Sequence, residues 1–378
     1  MHCRIWACCL EMSKFMTAKY LFPVATQSYF RAINIDVQRT RFLESSDYSP
    51  RFIYPGNYNE ELVLSRQAQT TKGSVEYDKL NLVLCSIRLQ KDSNELIEFN
   101  KLNDRIFGAP IQLHAQKILS RMLTQSTERT KVYSDEIIRI LNFKILPDAQ
   151  FGPNQDVFLK YKKYFSRYRH ASEIQNHDVA FAIKRELVNS GMAEKGWVLQ
   201  LVKGKAHART NHQMMKIKLG RDYHPRTLGA AERIAVHEVY SHALRGKQSS
   251  ETESEGFAMA LEQLLASCFK PRRSYRYLAA SLGWGVFGRP MAFRDVFEII
   301  WRLMRIISRY SEADAKAHAF NECYRVFRGG RADLAGAVYL KDIVYFESNL
   351  KVWDALSIKD IDYDKFVDII EGRSTITI

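Results

Sequence analysis

The stretch from Ala231 to Gly246 constrains the fold more than any other part of the chain. It holds no proline, and no glycine until Gly246 ends it, which predicts a helix with a glycine stop. Inside it lie His237, Glu238 and His242, a His-Glu-x-x-x-His pattern. In the commoner His-Glu-x-x-His arrangement the two histidines sit about 40° apart around an ideal helix, so both imidazoles reach one metal ion. Here the spacing is five residues, and at about 100° per residue the rings diverge by about 140°. A shared metal therefore demands a π-bulge, which absorbs one extra residue, or a helix that loosens before His242.

Two imidazoles need a further protein ligand, and the acidic segment that follows offers one. Phe257, Ala258, Leu261, Leu264, Leu265 and Cys268 mark the expected buried face of a second helix, and Glu255 lies one turn before Ala258 and Met259 on that side. Two neutral imidazoles and one carboxylate leave a fourth position for water, the arrangement of catalytic rather than structural zinc sites. Glu238 is then the expected general base of a hydrolase. Competing explanations stay open on spacing alone. Paired helical histidines occur by chance, Thr252-x-x-Glu255 also fits a capping box, and Glu251, Glu253 and Glu262 compete with Glu255 as ligands.

The rest of the chain sets the context. Its 378 residues are 46% hydrophobic, enough for a sizeable core, and no apolar run is long enough for a membrane span. Cys3, Cys8, Cys9, Cys85, Cys268 and Cys323 form neither a disulfide framework nor a CxxC pattern, which fits a reducing, cytoplasmic compartment. Lysine and arginine total 56 against 42 acidic residues, a net +14 that favours acidic partners.

Residues 1–48 read as an N-terminal extension, with Met12 and Met16 as alternative starts and no signal-peptide pattern; residues 49–378 form the main domain. Helical periodicity fills its first half. Short β-type runs over Trp197–Val202 and Met214–Leu219 predict a hairpin with a long loop just before the His-Glu helix, with His207 and His212 as loop residues. The basic, aromatic stretch Lys160 to His170 supports the rival reading, a non-catalytic nucleic-acid or polyanion binder, although a solvated helix with its tyrosines packed inward explains the same residues.

Several motifs recur in a familiar order. His237-Glu238-Val239 with His242 and Leu244-Arg245-Gly246 is followed by Glu255-Gly256-x-Ala258, then Met291-x-Phe293-Arg294 with Phe297, Cys323-x-Arg325-x-x-Arg328-Gly329, and Lys341-Asp342-x-Val344-Tyr345. Upstream stand Phe52-x-Tyr54-Pro55 and Ile106-Phe107-Gly108-x-Pro110. Together, over roughly residues 50–350, they resemble the QEGLA-motif metallopeptidase family that includes the microtubule-associated tyrosine carboxypeptidases.

The resemblance implies an α+β, mainly helical, zincin-like metallopeptidase with a small sheet before the active helix. It implies one zinc ion per chain on His237, His242 and Glu255, with Glu238 catalytic, and so singles out Glu255 among its acidic neighbours. A carboxypeptidase must also hold a terminal carboxylate, for which Arg245, Arg325 and Arg328 are candidates, with Lys341 and Tyr345 behind them. The expected partner is the C-terminus of an acidic protein or peptide. Departures from the family pattern are a short link between His242 and Glu255, Phe257 in place of a leucine, and Glu347-Ser348-Asn349 where an acidic-glycine turn is common.

Overall fold

The computed structural model describes residues 39–40, 42–44, 93–149, 152–169, 178–204, 207–224, 229–246, 251–269, 274–308, 310–327, 333–359 and 361–374. Helices α1 (Ser93–Phe107), α2 (Gln112–Leu123), α3 (Lys131–Leu141), α4 (Gln155–Arg169) and α5 (Val179–Asn189) precede three strands, β1 (Val198–Val202), β2 (Arg209–Asn211) and β3 (Lys216–Gly220). Helix α6 (Ala230–Val236) then runs on as a π-helical segment, His237–Ala243. It is followed by α7 (Glu251–Leu265), α8 (Ser274–Trp284), α9 (Phe293–Ile307), α10 (Glu312–Val326), α11 (Lys341–Ile358) and α12 (Tyr363–Ile370). The protein is α+β and mainly helical, with its small sheet directly before the His-Glu segment. Among the described residues no helix is long and apolar enough to cross a membrane.

Local chemistry explains several of the helix ends. The Asp178 side chain accepts hydrogen bonds from the Ala180 and Phe181 amides at the start of α5, and Ser311 and Asp362 cap α10 and α12 in the same way. Gly108, at φ +77°, closes α1 where the Phe107-Gly108-Ala109-Pro110 turn is expected. In α9, Val296, Phe297, Ile300, Leu303 and Met304 form one buried stripe at helical spacing, while Arg302 folds back on Glu298.

The sheet departs from the expected hairpin. β1 and β3 pair in parallel, Leu199 opposite Ile217, and β2 pairs antiparallel with the far edge of β3, Thr210 opposite Ile217. The order is thus β1-β3-β2. Within the connection assigned to a loop, β2 is the return stroke that lets two parallel strands be neighbours. Arg-Thr-Asn is too short and polar to announce a strand. The true hairpin joins β2 to β3, its turn closed by a Met214 amide hydrogen bond to Asn211 Oδ1 at 2.9 Å and by Met215 in the left-handed region at φ +49°.

Among the described residues two large apolar clusters, with a small third one of Phe99, Leu102 and Tyr339, fill the interior. One gathers α2, α3, α8, α9 and α10, and includes Phe42, whose ring meets Phe293 and Phe297 edge-on at 5.0 and 4.8 Å. Part of the stretch read as an extension therefore packs into the core. The other cluster joins α4, α5, the buried face of β3, the helix carrying His237, α7 and α12. Helix α11 serves both, with Ile343, Phe346 and Leu350 in the first and Val352, Trp353 and Leu356 in the second. Tyr161 and Phe165 of α4 are buried, and the Arg167 guanidinium lies 4.0 Å from the centroid of the Tyr363 ring. The basic stretch thus spends these rings on packing rather than offering them to bases.

Candidate metal centre

The five-residue spacing between His237 and His242 is resolved by a π-helical turn. Helix α6 is regular to Val236; the hydrogen bonds then lengthen to i+5, as in the 2.8 Å bond from the Leu244 amide to the Val239 carbonyl. A π-turn carries about 4.4 residues instead of about 3.6, so the imidazoles come back to one side. Their ring centroids are 5.0 Å apart. Gly246, at φ +68°, ends the element as a left-handed stop.

Helix α7 brings the third donor. His237 Nε2 lies 3.4 Å and His242 Nε2 3.9 Å from Glu255 Oε2. One ligand atom from each of the three residues lies within 4.8 Å of the others. Ligands held at about 2.0–2.1 Å around a tetrahedral metal sit about 3.4 Å from each other, so this set can hold a metal ion after small adjustments. Gly256 allows α7 to lie this close to its neighbour: a Cβ there would come within 2.4 Å of the Ser348 carbonyl oxygen on α11.

Both imidazoles are oriented from behind. His237 Nδ1 is 2.8 Å from Glu262 Oε1, and His242 Nδ1 is 2.7 Å from Ser254 Oγ. The Ser254 hydroxyl donates its single proton to the Ser241 carbonyl at 3.1 Å, so it accepts from Nδ1–H of His242. With Nδ1 protonated on each ring, both Nε2 atoms could give their lone pairs to a bound metal ion; without one, the proton drawn onto His237 sits on Nε2, toward Glu255. Glu262 and Ser254 do not stand out in the motif. Glu262, however, follows Glu255 by seven residues, two helical turns on the same face, which was a usable signal.

The electrostatics favour a cation. Burial opposes charge on His237, but hydrogen bonds to Glu255 and Glu262 and the charges of Glu262 and Glu238 outweigh it, so without a bound cation its pKa lies well above the ordinary histidine range. Burial and the neighbouring His237 push His242 down, while Glu238 and Glu255 pull the other way. The carboxylates that draw a proton onto His237 would equally draw a metal ion. Glu238 is 8% exposed, and its Oε2 accepts a 2.7 Å hydrogen bond from Thr210 Oγ1 on β2.

Tyr240, in the middle of the π-turn, reaches the opposite way. Its hydroxyl donates to Glu186 Oε2 at 3.0 Å, within a buried cluster where Arg169 and Arg185 both pair with Glu186 and Glu232. This cluster pins the back of the turn whose front carries the histidines.

Two of the expected carboxylate-binding residues, Arg245 and Arg325, pair with acidic side chains of the protein. The Arg245 side chain is 1% exposed, pairs with Glu253 at 2.7 Å and lies over the Phe257 ring, so it does not offer a fork to solvent. Arg325 Nε donates to both oxygens of the buried Asp342, at 3.0 and 3.1 Å. Arg328 lies outside the described residues, as does Phe52-x-Tyr54-Pro55. Lys341 and Tyr345 continue the face of α11 that carries Ser348 toward the end of α7 that bears Glu255. His207 packs on Tyr223, and His212 meets the Trp197 ring edge-on. Cys268, expected on the buried face of α7, lies past its end and is exposed.

No protein-family model matches the chain, and no curated protein and no solved structure does so either.

Proposed function

We propose that the chain is a zinc-dependent peptidase that acts as a carboxypeptidase on the C-terminus of acidic proteins or peptides. The observation that carries this reading is the π-turn. It turns a spacing that an α-helix cannot use into two imidazoles facing one carboxylate, with a second carboxylate, Glu238, beside them. A distortion of this kind has a cost, and π-turns concentrate at functional sites. The motif resemblance points the same way.

His237, His242 and Glu255 would hold the ion, with Glu262 and Ser254 keeping the imidazoles in the right tautomer. Zinc, when bound, supplies Lewis acidity toward a peptide carbonyl and lowers the pKa of a coordinated water. The chain's own part is proton traffic and orientation. A carboxylate oxygen of Glu238 takes a proton from the attacking water and returns it to the leaving amine nitrogen. An acidic substrate is supported by the net charge of +14, and exopeptidase action by Lys341 and Tyr345, the candidates that continue the α11 face toward Glu255.

Zinc content and cleavage of acidic model peptides test the reading. One zinc per chain is expected in the parent and none in His237→Ala. Glu238→Gln should keep its zinc and lose cleavage. A parent that binds no zinc, or a Glu238→Gln variant that cleaves at the parent rate, refutes the proposal. Release of single residues from the C-terminus is the expected product pattern, and internal fragments would refute the exopeptidase part alone.

A further inference from the structure

Among the described residues Glu238 is held by one side chain. The Thr210 hydroxyl lies 2.7 Å from Glu238 Oε2 and 3.3 Å from the Glu238 main-chain carbonyl oxygen. Among the described residues no other side chain hydrogen-bonds this carboxylate. The hydroxyl has one proton, which the shorter contact assigns to the carboxylate, and that bond selects one rotamer of a side chain with three rotatable bonds. Among the described residues only Oε2 is engaged, and Oε1 is the oxygen for proton exchange.

Thr210 stands on a strand paired with the core. Its strand partner, Ile217, is fully buried, and β-branched threonine suits an edge strand. β2 is the edge strand beside the π-turn, so the residue that steadies the carboxylate comes from a different element from the one that carries it. A contact that anchored the strand alone would need only the main-chain acceptor; the shorter bond goes to the carboxylate.

We propose that Thr210 is a positioning residue that pre-orients Glu238 for proton transfer. The inference rests on the peptidase reading, and its test separates the two. Thr210→Val keeps the branched shape and removes the hydroxyl, while Thr210→Ser keeps the hydroxyl. In the zinc-loaded protein, Thr210→Val should lower kcat by roughly 10- to 100-fold, part of the roughly 10²- to 10⁴-fold that a well-placed general base contributes. KM, Tm and zinc affinity should stay near the parent values, and Thr210→Ser should recover most of the rate. A crystal structure of zinc-free Thr210→Val should show the Glu238 carboxylate in a new rotamer. An unchanged kcat or rotamer, a parallel fall in Tm and zinc affinity, or no rescue by serine would each overturn the proposal. If the parent fails to cleave, the peptidase reading falls, and the rotamer alone still decides whether Thr210 orients Glu238.

Discussion

At the scale of single residues, the groups behind the histidines matter as much as the histidines. Glu262 does not touch the space between the three donor atoms, yet it sets which nitrogen of His237 faces Glu255. Removing the charge of such a partner typically weakens metal binding about 10- to 100-fold. Glu262→Gln is therefore expected to lose zinc affinity by that factor in a chelator competition while staying folded. Glu253, two residues before Glu255, should behave in the opposite way. It pairs with the buried Arg245, whose own pKa burial pushes down. Glu253→Gln should keep zinc affinity and lower the unfolding free energy in urea by about 3 kcal/mol, because it strands a desolvated guanidinium.

At the scale of elements, two close approaches build the site: the π-turn and the α7–α11 contact. Gly256 lies one residue from Glu255, and a methyl group there would press on the Ser348 main chain, which cannot move aside as a flexible side chain could. Gly256→Ala should gain about 1 kcal/mol of helix propensity and lose about 1–3 kcal/mol to overpacking. The expected net result is a lower Tm and weaker zinc binding, measured by differential scanning calorimetry with and without metal. Much of this level was legible in the sequence. The helix from Ala231, its glycine stop and the need for either a π-bulge or a loosened helix before His242 all followed from residue spacing and the fixed geometry of a helix. The sheet topology did not, because β2 has three residues and its pairing is decided by partners distant in sequence. The acids that Arg245 and Arg325 meet, Glu253 and Asp342, were not legible for a related reason: the pairing depends on how the helices pack.

At the scale of the molecule, charge is buried as well as displayed. Burial alone would raise the Glu186 pKa, but hydrogen bonds and positive charge from Arg169 and Arg185 outweigh it and hold the carboxyl below its ordinary value of 4.5. A carboxylate whose folded pKa is depressed contributes stability that is fully present above the unfolded value and is lost as pH falls through the folded one. Urea unfolding should therefore show stability falling as pH drops below about 4.5, with Glu186→Gln reducing that slope. The same variant should weaken zinc binding through Tyr240, which links the cluster to the π-turn.

Helix α11 gives this architecture a mechanical consequence. Its first half belongs to the cluster around α8, α9 and α10, and its second half to the cluster around the site. A single rod clamped at both ends transmits the loss of either clamp to the other. The molecule should therefore melt in one cooperative step, with calorimetric and van't Hoff enthalpies equal. Damage in the far cluster, as in Phe297→Ala, would then be felt at His237 as a lowered melting point and not as a separately loosened domain.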